Sequence, residues 1–286
     1  LLTGTLDPER ARLLRDADGV TLETAMREAG ADPAALGKDE ERLASIGAFV
    51  ELHIEQGRNL GPLGAPLGVA TGIWPHGRWR CLFDGEANHA GTTWLADRHD
   101  PVLVFASVAL AARRLAAELG GHATVGKVRV EPNATNAIAG SVTAWLDVRA
   151  PDEATVTHLV EALIAAAEPT GAEHGVGTSI TEESFTPAVT FDGRLRDRVA
   201  DVLGGAPELA TAAGHDAGIL AERVPAAMIF VRNPSGASHT PAESAELDDC
   251  LVGVRGLEAV LEELACGPPL GGAALSSADQ GCRRGS

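Results

Sequence analysis

Several short stretches of this chain gather side chains that can bind a metal or move a proton. In Gly47–Gly57, GAFVELHIEQG, residue types alternate from Val50. Glu51, His53 and Glu55 fall on one face, Leu52 and Ile54 on the other, which is the period of a strand with one buried side. A neutral imidazole between carboxylates suits a divalent ion such as Zn²⁺; an edge strand with a solvated face is the other reading. Gly85–Thr93, GEANHAGTT, sets Asn88 and His89 between glycines that let a ligand or another chain approach closely, or forms a turn with capping residues. Ser238–Glu243 puts His239 in a loop after an apolar run, where α/β domains gather ligands; a surface turn is the plainer alternative. Asn136 and Arg149 bracket a predicted hairpin. Arg grips a carboxylate with two donors and Asn both donates and accepts, although an isolated Arg is most often a surface residue. Gly214-His215-Asp216 opens a helix, where free N–H groups favour an anion or a carbonyl, with a plain cap as the equal alternative. GxSxG, the P-loop, GxGxxG and HExxH are all missing, so serine-hydrolase, NTPase and dinucleotide readings gain no support.

The elements that must position these residues follow from pattern and punctuation. Asp7-Pro8, Thr21 and Asp39 read as helix starts, and the third helix, ending near Ile46, feeds the strand at Val50. Residues 58–72, rich in Gly and Pro, read as a connection. Then come a strand over 78–83, a helix over 100–119, strands over 124–130 and 141–149, a helix from Pro151 to about Glu168 and a weak strand over 177–182. This β-α-β-β-α-β order is the split βαβ, or ferredoxin-like, arrangement. Gly/Pro connections flank it, so it reads as a domain over 73–184 inserted into an outer α/β domain of residues 1–72 and 185–265. The outer domain resumes with a helix over 193–203, a turn into a helix ending near Glu222, a buried strand over 226–231 and a helix over 247–264. In that last helix Leu251, Val254, Leu257, Val260 and Leu261 are expected inside. Residues 266–286 lack periodicity and are expected to be a disordered tail.

Composition narrows the class. With 286 residues and 45% hydrophobic content, one large domain or two ordinary ones can be built. A net charge of −17 argues against nucleic acid or an anionic membrane as partner. The four cysteines form no CxxC pair, which fits neither a disulfide framework nor a zinc ribbon and points to a reducing cytoplasm. No run of about 18 apolar residues reads as a membrane span, and no signal peptide is visible.

Together FVELHIEQG, GEANHAGTT, TVGKVRVEPNATNAI, LDVRAP, GHDAGIL and SHTPAE resemble the amidase/hydantoinase-carbamoylase family of binuclear metal hydrolases, within the zinc-exopeptidase superfamily. The resemblance covers about residues 1–265, and GIWPHGRWR inclines it towards the allantoate amidohydrolase branch. It implies a zinc-peptidase-like α/β catalytic domain carrying a ferredoxin-like lid that makes a homodimer. It implies two divalent ions per subunit (Zn²⁺ or Mn²⁺, with Co²⁺ also suited), one on His53 and the other on His239. It implies that Asn136 and Arg149 hold a ureide or N-carbamoyl amino acid, Arg149 by its carboxylate, with Gly214 and His215 lining the pocket. His76 stands where many relatives carry Gln. His89 would polarise the scissile carbonyl, from the partner subunit. In the family a further His, a bridging Asp and a Glu pair that includes the general base precede the first strand seen here. The chain starts with Leu, so a truncated and inactive form is the expectation. N-carbamoyl-L-amino-acid hydrolysis, or a non-catalytic dimerisation module over 73–184, are the alternatives.

Overall fold

A computed structural model describes residues 1–270. The strands are β1 Phe49–Ile54, β2 Leu67–Ile73, β3 His76–Asp84, β4 Asn88–His89, β5 His122–Glu131, β6 Ala137–Ile138, β7 Ser141–Arg149, β8 Gly177–Thr186, β9 Val189–Thr190, β10 Glu208–Thr211 and β11 Ala226–Val231. The helices are α1 Pro8–Arg12, α2 Leu22–Glu28, α3 Glu40–Ser45, α4 Leu60–Leu63, α5 Pro101–Leu119, α6 Glu153–His174, α7 Gly193–Val202, α8 Asp216–Leu220 and α9 Leu247–Cys266. They fall into two compact units: Leu1–Gly72 with the chain from Thr190 onward, and Ile73–Val189. Of the tail expected over 266–286, Cys266 closes α9 and residues 271–286 lie outside the described residues.

The second unit is a four-stranded antiparallel sheet of order β5-β7-β3-β8, with α5 and α6 on one face. Alternation in β7 sends Val142, Ala144, Leu146 and Val148 to the helices, and Thr143, Trp145, Asp147 and Arg149 to the opposite face. Asp100 and Asp152 cap α5 and α6, and Gly120 and Gly175 end them in the left-handed conformation. α6 does not stop near Glu168; it runs through Pro169 to His174. Gly171, two residues past the proline, allows a close approach to β8. A Cβ there would lie 2.6 Å from Thr178 Cγ2, so the last turns lie close against β8, and this packing outweighs the lost N–H bond.

The first unit is a sheet of order β1-β11-β2-β10. β1 runs parallel to β11, which is antiparallel to β2. All six residues of β11 are buried, which is why it reads as an unbroken apolar run. Ala227, Ile229 and Val231 join Leu195, Val199 and Val260 in one core, with Val50 and Leu52 packed against it. Two sequence expectations fail here for one reason. β2 lies inside the stretch expected to be a connection, and only part of the face expected inward in α9 is buried. Of the five residues expected inside, Val260 is buried and Leu257 packs against the core, whereas Leu251 (45% exposed), Val254 (59%) and Leu261 (51%) point outward and Gly253 is buried in their place. A Cβ on Gly253 would lie 2.7 Å from Val231 Cγ2, and one on Gly256 2.8 Å from Leu203 Cδ2. The helix rests on its glycines as well as on Leu257 and Val260, so counting large apolar residues finds only part of the buried face.

Candidate functional site

Parallel pairing of β1 with β11 puts Glu51 beside Met228 and His53 beside Phe230. Both side chains therefore stand on the sheet face opposite the Ile229 core. α8 packs against both strands on this unit. His215, its extended N-cap residue, lies 6.1 Å from the Phe230 ring and edge-on to His53, with ring centroids 4.6 Å apart. Glu51 Oε2 accepts a hydrogen bond from Ala217 N at 2.7 Å, and Oε1 stands 3.5 Å from His215 Nδ1. His53 Nδ1 is 2.7 Å from the Ile54 carbonyl. A carbonyl only accepts, so Nδ1 carries a proton and Nε2 is the nitrogen left to meet an ion.

His215 is the unusual group. Its side chain is 2% exposed, and its Nε2 is buried with no hydrogen-bond partner among the described residues. Burial first, and His53 second, push its pKa down to about 4, against a smaller upward pull from Asp216. The ring is therefore neutral near pH 7, and its approach to Glu51 is not an ion pair. One nitrogen from each of His53 and His215 and one Glu51 oxygen lie within 4.8 Å of one another. Among the described residues this is the one group of three that can hold a metal. Two imidazoles and a carboxylate are a donor set suited to Zn²⁺.

Glu55 does not join them. β1 ends at Ile54, and the Glu55 carboxylate, 3% exposed, turns to accept from Asn59 N, from Asn59 Nδ2 at 2.9 Å and from Leu60 N at 3.1 Å. His239 lies in the loop after β11 with a left-handed backbone, φ 56°. Its N–H donates to Glu243 Oε2 at 2.7 Å and its Nε2 is 3.4 Å from Gln56 Nε2. It is outside the group of three. Gly214 is exposed, with nothing near a Cβ position, directly before His215.

The remaining predicted residues belong to the second unit. His89 is on β4, exposed, and its Nδ1 accepts from Gly91 N at 3.0 Å and Thr92 N at 3.2 Å. That leaves the proton on Nε2, so the ring presents a neutral donor. Asn136 is exposed, and its carbonyl accepts from Ala90 N, tying the two short strands together. Arg149 sits in register between His76 and His122 on the adjacent strands. Asp147 holds its guanidinium at 2.7 and 3.1 Å. His76 is half-buried, with Nδ1 3.4 Å from the Trp74 carbonyl. Of the residues in the metal cluster, spacing in the sequence singles out His53 with Glu51. No sequence interval points from them to His215.

A family model described as peptidase family M20/M25/M40 matches residues 23–263. The chain belongs to this family. It is 34% identical over 275 residues to an allantoate amidohydrolase of Bacillus subtilis, covering 92% of this chain and 65% of the relative. It is 35% identical over 274 residues to an N-carbamoyl-L-amino acid amidohydrolase of Geobacillus stearothermophilus, covering 93% and 66%. Among solved structures it resembles a hydantoinase/carbamoylase family amidase from Burkholderia vietnamiensis, with TM-score 0.80, 29% identity and 93% and 65% of the two chains covered. It also resembles AtUAH in complex with (S)-hydroxyglycine, with TM-score 0.78, 27% identity, and 92% and 66% covered. The mixed α/β fold and the resemblance carried by the six motifs are thus those of M20 amidohydrolases. The M20 chain described here spans about two thirds of the length of these relatives. Among its described residues no helix is long and apolar enough to cross a membrane.

Proposed function

We propose that this M20 chain serves a metal-dependent amidohydrolase that cleaves the ureido C–N bond of allantoate. N-carbamoyl-L-amino acids are the second reading, because both relatives stand at nearly equal identity. The observation that carries the reading is the Glu51–His53–His215 group in a chain of this family. A divalent ion held there would supply Lewis-acid chemistry for hydrolysis of the ureido bond. His53 holds one ion, and His239 is assigned to a second. Arg149, oriented by Asp147, pairs with the substrate carboxylate through its planar donors. Asn136 and His76 contact the polar body of the substrate, and Gly214 and His215 line the pocket. His89 donates from Nε2 to the ureido oxygen as charge builds on it. A homodimer through the Ile73–Val189 unit completes the proposal.

The test is ligand binding and ammonia release measured on the same Zn²⁺- or Mn²⁺-loaded samples. The ligands are allantoate, an N-carbamoyl-L-amino acid and a dipeptide. Binding of a ureide, lost in Arg149→Ala, supports the reading, and EDTA-sensitive ammonia release places the chemistry in these residues. A chain that binds neither ureide, or prefers the dipeptide, refutes it.

A further inference from the structure

We infer that Trp74 and His122 form a specificity wall beside Arg149, a stacked pair that takes a second, planar ureido arm of the substrate. The inference rests on the reading above, in which Arg149 holds the substrate carboxylate, and it chooses between the two ureides named there. Allantoate carries two ureido groups on the carbon next to its carboxylate. One is cleaved and the other must be housed, whereas an N-carbamoyl amino acid offers its side chain at that place.

Placement comes first. Arg149 pairs in register with His76 on β3 and with His122 on β5, so the three residues stand in one row across the sheet. Direct neighbours in such a row have Cβ atoms about 4.5–5.5 Å apart. Pro75 is buried and its carbonyl accepts from Ala150 N at 3.4 Å, so the chain crosses the end of β7 just before β3 begins. Pro75 also holds residue 74 out of the helical region. Trp74 reaches His122 from this crossing, and the two rings stack with centroids 5.7 Å apart and planes at 24°. A carboxylate on Arg149 thus has His76 on one flank and the stacked pair on the other. Chemistry comes second. Among the described residues nothing hydrogen-bonds the His122 ring nitrogens or Trp74 Nε1. An indole donates once, and an imidazole can both donate and accept. A ureido group sets a carbonyl acceptor and N–H donors in one plane and matches that set, while an aliphatic side chain matches none of it. A site built to hydrogen-bond its substrate rejects an analogue that leaves its polar groups unpaired. Core packing does not account for the pair. The core of this unit is built by Trp79, Phe83, Leu146, Leu159 and their neighbours, whereas His122 is exposed and Trp74 only half-buried.

The experiment uses the 286-residue chain, loaded with Zn²⁺ or Mn²⁺ and titrated with allantoate and with N-carbamoyl-L-alanine. Affinities come from calorimetry, and the indole N–H signals of the four tryptophans are followed by ¹⁵N NMR. The expected result is that allantoate shifts the Trp74 signal and N-carbamoyl-L-alanine shifts it less. Trp74→Phe and His122→Phe keep a ring but remove its polar atoms. Each should lower the ratio of allantoate affinity to N-carbamoyl-L-alanine affinity about 10-fold, the effect of losing one hydrogen bond. A Trp74 signal that allantoate leaves unmoved overturns the wall, as does an unchanged ratio in both variants. Equal weakening of the two ligands also overturns it, because a merely structural pair would act in that way. In those three cases binding of the ureides, lost in Arg149→Ala, leaves the functional reading standing. A chain that binds neither ureide refutes the functional reading and the wall with it. Because the NMR titration uses the unaltered chain, the test holds even if a variant fails to fold.

Discussion

Replacing Glu55 tests the boundary between the metal cluster and its scaffold. The carboxylate is 3% exposed and accepts three hydrogen bonds, from Asn59 N, Asn59 Nδ2 and Leu60 N. It caps α4 from outside, because Asn59 makes no side-chain cap of its own. Leu60 is fully buried, so its N–H has no water to turn to when the carboxylate is removed. Hydrogen bonds to a charged acceptor contribute about 1.5–3 kcal/mol each, and an orphaned buried donor costs about 1–3 kcal/mol. Part of the Asn59 side chain can rehydrate, which removes one of the three from the sum. Glu55→Ala is therefore expected to lose about 3–5 kcal/mol, a large share of the 5–15 kcal/mol typical of a folded domain. Glu55→Gln keeps one acceptor but sets an amide N–H₂ against a backbone donor, and should lose about 2–3 kcal/mol. Urea unfolding reads both, at unchanged slope. The loss should be the same in EDTA and in excess Zn²⁺. A loss below about 1 kcal/mol for Glu55→Ala would refute the capping argument. A loss that appears only with Zn²⁺ would show that Glu55 is a metal ligand after all.

Arg232 binds Asp249 through two bonds of 2.8 and 2.9 Å, joining the end of β11 to the first turn of α9, and Asp249 is buried. Asp249→Ala should cost about 3 kcal/mol in urea unfolding, at the low end for a broken buried pair because Arg232 keeps some water. An apolar double replacement should recover most of it. In the metal-free chain, His215 titrates near 4 when folded and near 6.5 when unfolded. The unfolded chain then binds more protons between these values, so stability is full above pH 6.5 and falls as pH drops towards 4. The drop should be about 3 kcal/mol relative to His215→Gln, read from urea midpoints across that window in EDTA. Burial pushes the Cys81 thiol up to about 11. At pH 8 a disulfide reagent should label the exposed Cys266 quickly and Cys81 only after unfolding. Fast native labelling of Cys81 would contradict the packed β3–α5–α6 core.

Where one face of a strand is more open than the other, its alternation is readable, and β3 and β7 were legible for that reason; β1 was legible from its alternating residue types, although all six of its residues are half-buried. Aspartate and threonine caps marked the starts of α1, α2, α3, α5 and α6 equally well. Glycine misled the reading in β2 and α9. At Gly68 a Cβ would lie 2.8 Å from Leu60 Cδ2 and 3.1 Å from the Pro207 carbonyl. At Gly253 and Gly256 it would strike Val231 and Leu203. In each case the missing side chain is what lets two elements close on one another. Counted as a loop former, or left out of a count of apolar residues, glycine hides the very contact it permits.

The candidate site divides along the same line between local and distant information. Glu51 and His53 share a face by period two, and that much is local. Extending the period to Glu55 fails because the strand ends one residue earlier, and the next carboxylate is worth more to an open turn than to the sheet face. His215 reaches His53 only because β1 and β11 pair in parallel with His53 opposite Phe230, and α8 packs back across both strands. That register is set by the alternate burial of Leu52, Ile229 and Val231 on the other side of the sheet. A one-residue slip would turn His53 into the core and Leu52 towards His215. The hydrophobic face that carries no chemistry is thus what brings Glu51, His53 and His215 together.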